Sequence, residues 1–384
     1  MAHALVRAAP TLLSAPGATV KIKSIQATPF RQDREDATGT AGSPAKLHPS
    51  ESPYRWAENY PVIYSSLFET ALIRVELYSG QFGWGESQAP VAPEVACAVV
   101  NHILAPVFQG SPFEGTVEEI ESLWWKMYST MRARGHTGGF MLDGIAGVDL
   151  ALWDLAGKIA GAPVSALLGG HRKTVPAYFS GFRGALEAGF TRVKIFHDSS
   201  IENLLHNLNS LPMQVAVDAL WRLTPESALE LAPELERRRV LWLEAPLAPE
   251  SAPAHGALAA AMKTPIAIGE SYRTVFELDP FFAAAAMKIV QPDLGRTGIT
   301  EALRIARAAE ARGLAVIPHV SIALGPQIAA AIHFAASIPS CPMLEFNPNV
   351  LKIANRFLAD PIRMEGESYV VPESAGLGET GVIL

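Results

Sequence analysis

Six short apolar runs in the second half of this chain, QVAVD, VLWLE, PIAIGE, KIVQPD, AVIPH and PMLEF, each close on one ionisable residue: Asp218, Glu244, Glu270, Asp293, His319 and Glu345. Successive members stand 26, 26, 23, 26 and 26 positions apart, about the length of one strand, one helix and two short loops. Strands buried on both faces read as continuous apolar runs. A nearly constant interval between such runs places the ionisable residues at equivalent points of a repeated βα unit. In a closed (β/α) barrel, equivalent strand ends ring one mouth, so residues far apart in sequence converge. Lys194, in TRVKIF and 24 positions before Asp218, extends the series backwards.

Such a ring gathers five carboxylates, one histidine and one lysine. Two like charges 4 Å apart repel by about 4 kcal/mol at an effective dielectric near 20, so the gathering calls for a cation. Carboxylate oxygens suit a hard divalent ion, and Mg²⁺ leaves positions open for substrate oxygens. Asp218, Glu244 and Glu270 are the candidate metal ligands because they are consecutive in the series. Any one of them alone would more often be an exposed charge at a strand end. His319 is the one histidine of ten in the series, and Asp293 ends the strand before it. A carboxylate on one imidazole nitrogen fixes the tautomer and raises basicity at the other, which makes His319 a candidate general base.

The first half has a different character. Val20 to Phe30 reads as a strand, and Ala71–Leu77 with Phe82–Glu86 as a hairpin turning at Ser79 and Gly80. Between them Arg31 to Glu69 is polar and rich in Pro, Ser and Gly, long enough to be a functional flap or a disordered insertion. We expect a loose extension over residues 1–18, an α+β capping domain over 19–140 with its flap at 31–69, a barrel over 141–360, and a segment over 361–384 returning to the capping domain. Thr224 before Pro225 marks a helix start, and a further helix is expected to open at Thr300 and close at Gly313. Trp124 and Trp125 read as packing between helices.

Composition excludes several functions. At 384 residues and 49% hydrophobic the chain can bury a large core. A net charge of −7 with mixed signs offers no basic stripe for nucleic acid. No apolar run reaches the roughly 20 residues that span a bilayer. Cys97 and Cys341 lack CxxC spacing, and no glycine-rich nucleotide loop follows a strand. A cytoplasmic enzyme without nucleic-acid or membrane partners is the expectation.

The order of Lys194, Asp218 in AVDAL, Glu244 in LEAP, Glu270 in IGES, Asp293 in QPDLGRTG, His319 in IPHVS and Glu345 in LEF resembles the enolase superfamily, mandelate racemase subgroup. The stretch GIAGVDLALWDLAGKIAGAPVSALLGG is similar to the helix and linker that open its barrel. The resemblance implies a modified (β/α)₇β barrel with an N-terminal α+β cap, one Mg²⁺ per site, and a homo-oligomer. It implies that a substrate carboxylate binds the metal, a base takes the α-proton, and the cation stabilises an enediolate. It also implies the roles: Asp218, Glu244 and Glu270 as ligands, Asp293 and His319 as the acid/base dyad, Glu345 as hydrogen-bond partner of the enediolate, and Lys194 as the first lysine of the KxK motif.

Where the second lysine of that motif would stand, this chain has Phe196. A racemase needs acid/base groups on both faces of its substrate, whereas one base can abstract an α-proton and then hand it to a departing β-hydroxyl. The expectation is therefore dehydration of a hydroxylated carboxylate, a sugar acid, to a 2-keto-3-deoxy acid. The alternatives are a racemase, epimerase or cycloisomerase, with Lys194 or His197 as second group, and a non-catalytic binding protein on the same fold. Strand alternation turns His197 away, and Lys194 reads better as a fixed charge near the substrate carboxylate. For substrate contacts we name Arg31, Arg34, Lys46, His48 and Arg55 of the flap, Arg132, Arg134 and His136 near the domain junction, and Tyr272 and Arg273 after Glu270.

Overall fold

The computed structural model describes residues 20–33, 52–57, 62–197 and 200–378. The extension 1–18 and the flap candidates Arg34, Lys46 and His48 lie outside them.

The first strand, β1 (Ile22–Asp33), is followed by β2 (Tyr54–Ala57), β3 (Val62–Ser65), β4 (Leu67–Leu77) and β5 (Phe82–Ser87). β4 lies between β1 and β5 in an antiparallel sheet, and β2 pairs with β3. The strands outrun the sequence reading at both ends of the flap. Arg31 stands opposite Glu69 in the β1–β4 ladder, its Nε 2.6 Å from the fully buried Glu69 carboxylate. A cross-strand ion pair of this kind extends pairing into a polar segment. Residues 31–33 and 67–69 are thus sheet, and Arg31, held also at 2.5 Å by Glu94, is engaged by two carboxylates of the capping domain.

The helix Phe140–Ala160 is buried at every residue from Met141 to Gly157 and apolar all round but for Asp143, Asp149 and Asp154, as expected of a helix inside the protein. It lies directly on β5. A Cβ at Gly85 would sit 2.0 Å from the Gly147 carbonyl oxygen, so glycine in the strand lets the two backbones meet. Residues 141–160 therefore pack on the capping sheet, and on the helix Leu294–Glu310, before any barrel strand has begun.

The barrel-like sheet runs in chain order from β6 (Thr174–Ser180) through β7 (Arg192–Phe196), β8 (Gln214–Asp218), β9 (Leu243–Glu244), β10 (Ile266–Ile268), β11 (Ile289–Val290) and β12 (Ala315–Val316). β13 (Leu344–Phe346) pairs in parallel with β6, and the Val316 amide bonds the Ser340 carbonyl at 3.1 Å. Helices follow each strand from β7 to β12, the pattern of right-handed βα units. The first strand, β6, escaped the sequence reading because Pro176 interrupts it and no ionisable residue ends it.

After the barrel, β14 (Met364–Glu365) and β15 (Ser368–Val370) form a hairpin whose second strand runs antiparallel to β6. The C-terminal segment thus extends the barrel sheet first. Only at Leu377 does it reach Asp154, whose Oδ1 accepts the Leu377 amide and Oδ2 the Trp84 amide of β5, each at 2.8 Å. The helix expected from Thr300 begins instead at Leu294 and breaks at Gly298, where φ is +67°. Buried Asp149 accepts the Thr300 amide at 3.0 Å and so caps the part that resumes. Trp124 is buried and stacked on Tyr128 at 5.1 Å, but Trp125 is 39% exposed. No helix among the described residues is long and apolar enough to cross a membrane.

Candidate active site

The C-terminal ends of these strands and the loops beyond them line a cavity of about 930 Å³. Asp218 and Glu244 are the last residues of β8 and β9, and Glu270 lies two residues past β10. Ligand oxygens of the three lie within 4.8 Å of one another. Glu244 is anchored by the Trp242 indole at 2.9 Å and the Gln291 amide at 2.7 Å. Asp218 accepts the Leu220 amide at 2.9 Å, and Glu270 accepts the Trp221 indole at 2.8 Å. Leu220 and Trp221 both have positive φ, 53° and 59°, a strained pair for residues that carry a Cβ. That turn aims the indole at Glu270.

Lys194 does not occupy the position the spacing implied. The β7–β8 register places Phe196 beside Asp218 and Lys194 two residues deeper, beside Ala216. Its side chain climbs back so that Nζ lies 2.6 Å from Glu244, 3.0 Å from Glu345 and 3.5 Å from Asp218. Burial disfavours this charge, but the surrounding carboxylates outweigh it and hold the lysine pKa well above the ordinary value. Glu345 is pushed the other way. Burial raises its pKa, and Lys194, His319 and Ser180 together bring it below the usual carboxylate range. An ionised Glu345 accepts hydrogen bonds, here from the Val320 amide at 3.3 Å, and donating one to an enediolate would first require it to take up a proton.

Asp293 caps the helix Leu294–Glu310, and its Oδ2 lies 2.8 Å from His319 Nδ1. His319 Nε2 points to Glu270 Oε2 at 3.2 Å. Burial works against an imidazolium here, but Asp293, Glu270 and Glu345 carry the pKa up to about 9. Burial and the charges of Glu244 and Glu270 likewise drive the Asp218 pKa well above normal against the pull of Lys194. Three clustered carboxylates with one lysine among them form an all-oxygen donor set suited to a hard divalent cation. Such an ion inverts the local pKa balance, lowering Asp218 and relieving the pull of Glu270 on His319. The residues fit that group.

Most of the proposed loop contacts lie elsewhere. The Tyr272 hydroxyl donates to the Pro249 carbonyl at 2.5 Å, and Arg273 binds Asp143 at 3.0 and 3.3 Å. Neither forms part of the cavity wall, because the first turn after Glu270 folds back onto the helices; Ser271 lines it in their place. His136 and Arg134 are exposed in a turn away from the wall, and Arg132 lies over the Tyr128 ring at 5.6 Å. Arg55 sits half-buried on β2 opposite Tyr64, and it is Tyr64 that reaches the cavity. His197 is buried, its amide on the Asp218 carbonyl at 2.8 Å, and does not line the cavity.

The wall includes residues that the spacing did not single out: Ser180, Trp221, Arg222, Arg296, Asn347 and Lys352. Trp221 and Arg296 each stand three residues past a member of the series, Asp218 and Asp293, Trp221 on a βα loop and Arg296 in the first turn of the helix Leu294–Glu310.

Comparison with known proteins agrees with this geometry. Residues 181–380 match the family model described as enolase C-terminal domain-like, and residues 63–169 match that of the mandelate racemase / muconate lactonizing enzyme N-terminal domain. The chain is similar to D-galactarolactone cycloisomerase of Agrobacterium fabrum, 29% identical over 80% of this chain and 87% of the relative. It is also similar to arabinonate dehydratase of Saccharolobus solfataricus, 30% identical over 81% and 88%. A solved enolase-superfamily member from Agrobacterium tumefaciens superposes with a TM-score of 0.86 at 29% identity, covering 93% of this chain and 96% of its own. With its capping sheet, its parallel barrel-like sheet and its strand-end carboxylates, the chain belongs to the enolase superfamily, in the mandelate racemase / muconate lactonizing enzyme family.

Proposed function

We propose that the protein dehydrates a hydroxylated carboxylic acid, an aldonate or aldarate, by removing its α-proton and then its β-hydroxyl to give a 2-keto-3-deoxy acid. The observation that carries this reading is the single-sided acid/base arrangement. His319 is tied to Asp293 at 2.8 Å and lines the cavity, while on the β7 wall the Phe196 ring can neither take nor give a proton and Lys194, which also lines the cavity, is held by Glu244 at 2.6 Å and Glu345 at 3.0 Å.

A Mg²⁺ held by Asp218, Glu244 and Glu270 would supply Lewis-acid stabilisation of negative charge on the substrate carboxylate. His319 Nε2 takes the α-proton as the Cα–H bond breaks and its electron pair moves toward the carboxylate. The Asp293 carboxylate holds the resulting imidazolium in place. As the β C–O bond breaks, the same Nε2 returns its proton to the leaving oxygen, which departs as water, and the enol ketonises. Lys194 contributes a fixed charge beneath the carboxylate cluster and keeps Glu345 ionised. Arg222, Arg296, Asn347 and Lys352 supply polar and cationic groups to the rest of the cavity, as a polyhydroxy acid requires.

The similarity to a named cycloisomerase supports a second reading, in which, after the same proton abstraction from a lactone, the ring C–O bond at the β-carbon breaks and its oxygen leaves as a carboxylate in place of water. A screen of acid sugars and their lactones with Mg²⁺ separates the two. A keto acid lighter than its substrate by one water supports dehydration, and a product of unchanged mass supports cycloisomerisation. His319→Asn should abolish turnover in either case while retaining metal binding. Full activity in that variant would remove His319 from the mechanism, and deuterium at an inverted α-carbon of substrate recovered from D₂O would establish epimerisation instead.

A further inference from the structure

The capping sheet reaches the acid/base dyad through one glutamine. Gln327, at the start of the helix Pro326–Ser337, donates from Nε2 to Asp293 Oδ1 at 2.9 Å, where the Gly295 amide also donates at 2.9 Å. Oδ2 is left to His319. Asp293 is an acceptor on both oxygens, so these donors set the rotation of its carboxylate and with it the bond to the imidazole. The Gln327 amide is fitted closely: a Cβ on Gly295 would lie 2.2 Å from Oε1, and that oxygen has no hydrogen-bond partner among the described residues although it is buried. A buried amide that leaves its own oxygen unsatisfied is placed for what its nitrogen does.

What fixes Gln327 comes from the other domain. Glu86, the penultimate residue of β5 and fully buried, accepts the amides of Leu324, Gly325 and Gln327 at 2.5, 3.1 and 3.2 Å, with Thr70 adding its hydroxyl at 2.8 Å. Two residues on, the Gln88 amide donates to the Gly295 carbonyl at 2.9 Å. From one edge of the capping sheet, Glu86 and Gln88 therefore brace both segments that grip Asp293.

We infer that Gln327 is a positioning residue for the His319–Asp293 dyad and that Glu86 of the capping sheet holds it in register, so that the proton-transfer geometry of the barrel is set partly from the cap. The inference rests on the dyad reading above. Loss of an orienting partner of this kind costs about 10- to 100-fold in activity, and it should appear in kcat with KM little changed.

The test uses Gln327→Met, which keeps volume and removes the donor, with Asp293→Asn and the double variant, assayed on D-galactonate and D-arabinonate with Mg²⁺. Imidazole NMR of ¹⁵N-histidine-labelled protein, with His319→Asn for assignment, supplies a readout that needs no substrate. Gln327→Met should lower kcat by about 10- to 100-fold and move the His319 Nδ1–H resonance, and the double variant should lose no more than Asp293→Asn alone. Glu86→Gln should move the same resonance in the same direction by a smaller amount. Multiplying losses in the double variant, or an unmoved resonance, would leave Gln327 a packing residue and overturn the inference. If Asp293→Asn itself keeps wild-type turnover, the dyad reading fails, and the positioning role fails with it. An inert Gln327→Met beside an inactive Asp293→Asn removes only the inference.

Discussion

Asp218→Asn should make the metal-free protein more stable and the Mg²⁺-loaded protein less so. Asp218 faces two carboxylates whose ligand oxygens lie within 4.8 Å, and at an effective dielectric near 20 each repels it by at least about 3.5 kcal/mol. Lys194 at 3.5 Å returns about 4.7 kcal/mol at the same dielectric. The balance favours removing the charge by roughly 2 kcal/mol, and escape from burying a carboxylate adds to it. Asparagine keeps the oxygen that accepts the Leu220 amide, so the turn survives.

The sign with pH follows from the raised folded-state pKa of Asp218. The native metal-free chain holds the Asp218 proton to higher pH than the unfolded chain, which releases it near pH 4, so this site costs more stability as pH rises above that point. The variant escapes the cost, and its advantage in EDTA should widen toward alkaline pH. Adding Mg²⁺ at about 100 times Kd stabilises the wild type by about 2.7 kcal/mol and should leave the variant almost unmoved, so the order of stabilities inverts. Urea melts in EDTA and in Mg²⁺, across pH 5 to 8, give all of these differences. A wild type more stable than the variant in EDTA, or an equal Mg²⁺ response in both, would show that the three carboxylates do not share a cation.

Three further outcomes follow from single contacts. His333 is fully buried, its Nδ1 accepting the Ser165 amide at 3.2 Å, and burial lowers its pKa to about 4. It stays largely neutral in the fold while the unfolded chain protonates near 6.5, so stability present above pH 6.5 should fall by about 3 kcal/mol by pH 4; His333→Gln should flatten that part of a denaturation profile. Trp221→Phe removes the indole donor 2.8 Å from Glu270 and should weaken Mg²⁺ binding by about 10- to 100-fold in calorimetry with little change in melting of the metal-free protein. Gly85→Ala forces a methyl to within 2.0 Å of the Gly147 carbonyl and should cost at least about 1–3 kcal/mol in urea unfolding, whereas alanine at exposed Gly80, with φ of +88°, should cost only backbone strain.

The periodic series made the barrel legible because period and burial are written into composition: strands apolar on both faces alternate with helices, and the residue at each mouth is the exception. It identified the triad and the dyad; the structure brings Asp218, Glu270 and His319 to the wall of one cavity, with Glu244 and Asp293 buried against them. It was blind to depth within a strand. Lys194 was assigned to the mouth by interval alone, while the β7–β8 register sets it two residues below, and only the length of a lysine side chain restores it to the carboxylates. It was equally blind to direction in a loop. Tyr272 and Arg273 follow Glu270 as closely as Trp221 follows Asp218, yet the backbone at Leu220 and Trp221, with positive φ at both, is what points an indole inward. Nothing in residue type forecasts that turn.

The capping domain shows the same limit from the other side. Glu69 and Glu86 look alike in sequence, each a glutamate on a strand of the antiparallel sheet and each fully buried. One neutralises Arg31 across a ladder and holds the base of the β2–β3 hairpin through Tyr54. The other spends its oxygens on the amides that open a barrel helix. The difference is what each carboxylate meets: Glu86 stands opposite Leu72 and one residue from the end of β5, where it reaches unpaired helix amides, whereas Glu69 stands opposite Arg31 and pairs with it. Position along a strand thus decides whether a buried charge stabilises its own sheet or orders the neighbouring domain, and in this fold the second use lies one glutamine away from the proton-transfer pair.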